Sequence, residues 1–182
     1  MRWFWIDRFI EFERGKRART VKNISLAEEH LQDHFPAYPV MPHPLVVEGL
    51  AQTGGLLVGE YNAFRERVVL AKISKAVFHF HVVPGDKLTY TATVDDIKED
   101  GAFVQGTSHL GDRLHAELEL VFAHLDKSDE RQQFVPEDFA AMLRMLGLYD
   151  VGRDAEGNPL QMPQHLLDAE QAAIQREAAK VK

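Results

Sequence analysis

The chain contains no cysteine. Disulfide staples, thiolate metal sites and a thiol nucleophile are therefore excluded, and the composition suits a reducing compartment such as the cytosol. No apolar run reaches the roughly 18 residues of a membrane-spanning helix. Residues 1–8 turn charged too soon for the apolar stretch of a secretory signal, so a cytoplasmic location is expected. Positive charge is also in short supply. With 21 Lys and Arg against 28 Asp and Glu, the formal charge of −7 argues against a nonspecific nucleic-acid surface. No internal repeat is present.

What remains is a chain of 182 residues, 45% hydrophobic and 27% charged, enough for one globular domain with a modest extension. The composition divides it at about residue 126. In 1–125 strand patterns dominate, whereas 126–182 is a charged, small-residue extension with helices expected over Pro136–Leu146 and Pro163–Ala179. Phe9–Glu13 and Arg17–Ile24 read as a hairpin around Arg14-Gly15-Lys16. Ser25 and Glu28 carry a capping-box signature for a short helix reaching Asp33. Val68–Ser74 and Ala76–Val83 read as two β-rich runs, followed by a turn at Pro84-Gly85-Asp86. Leu88, Tyr90, Ala92 and Val94 then alternate with polar residues, as do Leu114, Ala116, Leu118, Leu120 and Phe122, the pattern of antiparallel strands with one apolar face.

Between the hairpin and these strands lies a helix from Pro44 to about Tyr61. Leu45, Val46, Val47, Leu50, Ala51, Leu56, Leu57 and Val58 leave it little polar surface, so it should be covered nearly all round by a curved sheet. Gly49, Gly54, Gly55 and Gly59 each cost about 1 kcal/mol relative to alanine in a helix, which calls for close approach by the sheet or a partner.

Two residues stand out against this apolar background. His34 sits in a stiff loop containing Pro36, Pro39, Pro42 and Pro44, and Glu48 is read as the lone acid of the helix. A lone acid there should be buried, and burial favours its protonated form, which would set a proton donor beside an imidazole base. On spacing alone, a loop histidine and a helix-start glutamate are the plainer assignment. Histidine pairs His30/His34 and His79/His81 lack a complete ligand set, so no metal is expected. The basic cluster Arg14, Lys16, Arg17, Arg19 and Lys22 reads equally as a solvated hairpin or as a docking surface for an acidic partner, and Arg65, Arg67, Lys72 and Lys75 are a rival candidate for that surface. The aromatic group Trp3, Phe4 and Trp5 reads as core or subunit contact.

The motifs His34-Phe35-Pro36, Pro39-Val40-Met41-Pro42, Glu48, Ala51-Gln52, Val83-Pro84-Gly85-Asp86 and Ala116–Ala123, in that order, resemble the β-hydroxyacyl-[acyl-carrier-protein] dehydratases of type II fatty acid synthesis. The resemblance covers roughly residues 8 to 125 and includes the 14-residue spacing from His34 to Glu48. It implies an α+β hot-dog fold, an antiparallel sheet wrapped around a long central helix. It also implies a homodimer, or a trimer of dimers, in which His34 of one subunit faces Glu48 of the other. The implied reaction dehydrates 3-hydroxyacyl-[acyl-carrier-protein] to the trans-2-enoyl product without a cofactor, with acyl carrier protein as the partner.

The same resemblance makes His34 the base, Glu48 the acid and the backbone N–H of His43 the oxyanion donor. Phe35, Met41, Val47 and Gln52 are the candidate tunnel residues. Glutamate at the acid position favours the general dehydratase branch over the isomerising one. The chain departs from the family pattern at Ala37 and His43, where glycine is usual, and the His43 side chain adds bulk beside the expected substrate path. The alternatives are a hot-dog thioesterase, an enoyl-CoA hydratase, or a non-catalytic acyl-thioester-binding or assembly subunit.

Overall fold

The computed structural model describes residues 3–125 and 135–180. In chain order its elements are β1 (Arg8–Glu13), β2 (Arg17–Asn23), α1 (His30–Asp33), α2 (His43–Tyr61), β3 (Arg67–Phe78), β4 (Lys87–Ile97), β5 (Gly101–Leu110) and β6 (Arg113–Leu125). Beyond the undescribed stretch follow α3 (Pro136–Met145), α4 (Leu148–Val151), β7 (Gly152–Arg153) and α5 (Gln164–Lys180). One sheet carries all seven strands, in the order β3-β6-β5-β4-β2-β1-β7. Every neighbouring pair is antiparallel except β1 and β7.

Alternation along the strands turns one face inward. Leu88, Tyr90 and Ala92 of β4, Val104 of β5, and Leu118 and Leu120 of β6 are all buried, as are Val46, Leu50, Leu57 and Val58 of α2. Each large apolar side chain buried here contributes about 1.5–3 kcal/mol. The sheet comes so close to the helix that a Cβ on Gly49 would lie 2.5 Å from the Tyr90 ring and 2.8 Å from the Trp5 carbonyl oxygen. That contact explains a glycine in a helix interior, and the architecture is the hot-dog arrangement.

Three local expectations are corrected. The two β-rich runs at 68–83 are a single strand to Phe78, interrupted by bulges between Leu70 and Lys72 and between Ile73 and Lys75. Each bulge resets the side-chain alternation, so a continuous strand mimics a broken one. Near Ser25 the capping contacts form, with Ser25 N–H donating to Glu28 Oε2 at 3.1 Å and Ala27 N–H to Ser25 Oγ at 3.2 Å. The chain nevertheless turns there, and helix begins only at His30. Pro44 occupies the second helical position of α2, one later than expected.

The division expected near residue 126 falls within 126–134, outside the described residues. The elements after it share the hydrophobic cluster of the sheet through Ala140, Leu143, Leu146, Leu148, Leu160 and Leu166. Phe9 N–H donates to the Leu146 carbonyl at 2.8 Å and Arg14 N–H to the Arg153 carbonyl at 2.9 Å, fastening the extension to β1. Arg144 forks onto Glu170 at 2.9 and 2.7 Å, joining α3 to α5.

Candidate active site

His34 follows α1 and is half-buried. Val40 closes its loop twice, donating its N–H to the His34 carbonyl at 2.9 Å and presenting its own carbonyl 3.1 Å from His34 Nδ1. A carbonyl oxygen only accepts, so Nδ1 carries a proton and Nε2 is the ring nitrogen not engaged by the loop. Phe35, exposed, stacks on the imidazole at 4.4 Å.

Two residues after Met41, α2 begins. The first helical N–H groups have no partner within the helix, and no acidic side chain occupies its first turn, so its positive dipole end is left uncompensated. His43 is the first helical residue. Its ring lies parallel to Phe78 at 4.0 Å and stacks on His81 at 5.3 Å, so the bulk that departs from the family's glycine is absorbed in an aromatic stack. Burial, then the nearby His81 and His34, holds the His43 imidazole below the ordinary histidine range. Behind Phe78 lies His115, fully buried, with Nδ1 3.0 Å from Ser108 Oγ. Burial, reinforced by His43, pushes it down to about 4. Two imidazoles held below the ordinary histidine range, His43 and His115, thus lie near the start of α2.

Glu48 is half-buried, not buried as a lone acid should be. The reason is that one side of its helix turn faces an open groove. Its Oε1 accepts from Gln52 Nε2 at 3.0 Å. Gln52 also donates to the Trp3 carbonyl at 2.9 Å and accepts from Trp5 N–H at 2.9 Å, so a neutral amide clamps the carboxyl group to the N-terminal segment. Nor is Glu48 alone on the helix. Glu60, fully buried at the far end, takes Arg14 Nε at 2.8 Å and Nη2 at 2.5 Å.

The groove has a volume of about 650 Å³, within the range of small-molecule sites. It follows one face of α2 from Glu48 through Gln52 and Leu56 to Gly59, and its surface is predominantly apolar. Of the expected site residues, Glu48 and Gln52 line it. His34, Phe35, Met41 and Val47 do not line it within this chain, and Met41 is packed in the core. Phe64, Phe139 and Met142, which sequence reasoning missed, do line it. The helical repeat of Glu48, Gln52, Gly55 and Gly59 on one face was the signal available for the groove itself. Trp3 and Phe4 lie at its edge, whereas Trp5 belongs to the core.

Each hairpin cation has an acid within reach: Arg14 pairs with Glu60, Lys16 with Glu13, Arg17 and Arg19 share Glu11, and Lys22 lies between Glu28 and Asp7. His79 is held by Glu117 at 3.1 Å while His81 stacks on His43, which commits the two imidazoles to different contacts. Among the described residues, no three histidines or acids are grouped to hold a metal.

An acid clamped by a neutral amide thus opens on an apolar groove along the central helix of a hot-dog fold. The FabA-like domain family matches residues 4–109, and the chain belongs to that family. It is 40% identical over 119 residues to a protein of Desulforamulus reducens named 3-hydroxyacyl-[acyl-carrier-protein] dehydratase FabZ, covering 65% of this chain and 84% of the relative. A protein of Koribacter versatilis with the same name is 41% identical over 114 residues, covering 62% and 73%. Among solved structures, a conserved protein from Pseudomonas aeruginosa superposes with a TM-score of 0.54 at 20% identity, covering 65% of this chain and 87% of that one, and shares the fold.

Proposed function

We propose that the protein dehydrates 3-hydroxyacyl-[acyl-carrier-protein] to the trans-2-enoyl thioester in fatty acid synthesis, with His34 of one subunit and Glu48 of another acting on the same substrate. The observation that carries the reading is the position of Glu48, held by Gln52 at an apolar groove whose lining within the chain excludes His34. A second copy is the natural source of the missing base. The edge strand β3, 12 residues long and with exposed Leu70, Ile73 and Val77, has β6 on one side and, among the described residues, no strand on the other. A long, apolar, unpaired edge is an aggregation hazard unless another strand covers it.

His34 Nε2 takes the C2 proton of the substrate. The electrons of that C–H bond form the C2=C3 double bond as the C3–O bond breaks, and Glu48 protonates the departing oxygen, which leaves as water. Return of the proton from His34 to Glu48 restores the starting state. Charge on the thioester oxygen is met by the His43 N–H and the positive end of the α2 dipole. Acid and base roles of this kind each supply about 10²–10⁴ in rate.

Purified protein is expected to interconvert 3-hydroxyacyl and trans-2-enoyl carrier substrates. His34→Ala and Glu48→Gln should each lose about 10²–10⁴ in rate, and a mixture allowed to exchange subunits should regain roughly a quarter of wild-type activity, because half the dimers then hold one intact site. Absence of turnover by the wild type rejects the dehydratase reading. Failure of exchanged mixtures to recover rejects the shared site.

A further inference from the structure

The groove does not end on the part of the chain that matches the family. That match stops at residue 109, whereas Phe139 and Met142 of α3 and Leu166 of α5 line the groove. We propose that α3 and α5 form the distal wall of the acyl site and set the longest acyl chain that the enzyme accepts. The inference rests on the dehydratase reading above.

Three features carry it. The groove starts at Glu48, the acid, and reaches Gly59, 11 residues further along α2. At 1.5 Å per residue that is about 16 Å, which an extended chain of about a dozen carbons would fill at roughly 1.25 Å per tetrahedral bond. At the Gly59 end the groove meets aromatic rings. Ala63 and Phe64 take left-handed backbone angles, φ 53° and 55°, unusual for side chains of this kind. They bring the Phe64 ring so close to α2 that a Cβ on Gly59 would lie 2.9 Å from it. Phe139 meets Phe64 edge to face at 5.0 Å, so one ring from the hot-dog body and one from the extension close the end together.

The wall is also fixed in place. Arg144 holds Glu170, Arg176 holds Glu137 at 2.6 Å, and Ala140 and Leu143 bury another side of α3 in the core. A surface that is anchored, apolar and set at the far end from the reacting acid has the features of a length gauge.

Two substitutions should move chain-length preference in opposite directions. Met142→Trp narrows the groove and should lower the ratio of kcat/KM for 3-hydroxymyristoyl-carrier to that for 3-hydroxybutyryl-carrier by at least about tenfold, since a hydrophobic pocket discriminates single methylenes by 10–200-fold. Phe139→Ala lengthens the groove and should raise the ratio of 3-hydroxystearoyl- to 3-hydroxymyristoyl-carrier by a similar factor. Opposite shifts cannot come from general loss of stability, which lowers all substrates together. If the wild type turns over the series and both ratios stay at wild-type values in the variants, the wall is rejected while the dehydratase reading stands. If no chain length is turned over by the wild type, both are rejected.

Discussion

The two ends of α2 handle their acids in opposite ways. At the C-terminal end Glu60 is fully buried and gripped by both nitrogens of the Arg14 fork. Toward the N-terminal end Glu48 is half-buried, open to the groove and held by the amide of Gln52. A carboxylate in a bidentate pair with a guanidinium is committed to its charge and its position, since giving it a proton would strand the arginine. A carboxyl group held by a neutral amide keeps its place in either protonation state. One helix therefore carries a structural acid and an available one, and the partner distinguishes them more clearly than burial does.

That contrast breaks if the two acids prove interchangeable in effect. Glu48→Gln should lower kcat by about 10²–10⁴ while leaving the free energy of urea unfolding within about 1 kcal/mol of wild type. Arg14→Met should do the reverse. It leaves Glu60 buried without its partner, which costs about 3–5 kcal/mol for a fully enclosed pair and falls toward the lower figure here because Arg14 is partly exposed. Substrate turnover, measured below the new unfolding midpoint, should stay within a few-fold. Loss of activity in both variants with no change in stability would show that the assignment of roles is wrong.

Much of this molecule was legible from its residues because its signals are periodic. β4 and β6 follow two-residue alternation, β1 and β2 flank a recognisable turn, and α2 is marked by its apolar run and by glycines that the sheet does approach. The parts that escaped have non-local causes. Glu60 reads as an ordinary polar residue near a helix end, because the partner that buries it lies 46 positions away in a hairpin turn. β7 has only two residues and exists through its parallel pairing with β1, so it carries no pattern of its own. Glu48 was identified, but its setting was misjudged: helix composition cannot show that Phe139 and Met142, more than 90 positions later in the chain, line one side of its groove. The turn of the His43 ring away from the site was equally hidden, since Phe78 reaches it from the far end of β3.

The lowered imidazoles His43 and His115 near the start of α2 sharpen the comparison once more, because they make this end of the helix sensitive to acid. His115 is fully buried and its folded value is depressed from 6.5 to about 4. Below the ordinary value the unfolded chain binds a proton that the folded chain does not, so the unfolded state carries more protons and stability rises with pH. The contribution is intact above about 6.5, declines as pH falls and is fully lost near 4, reaching up to about 3 kcal/mol at 1.36 kcal/mol per unit. His43 and His30, both lowered chiefly by burial, act in the same direction. His115→Gln removes the largest of these depressed groups. Urea unfolding across this range should therefore show a shallower loss of stability in the variant than in the wild type, even though the variant starts less stable at neutral pH. Parallel curves would mean that His115 takes up its proton in the folded protein, and the lowered value assigned to it would no longer hold.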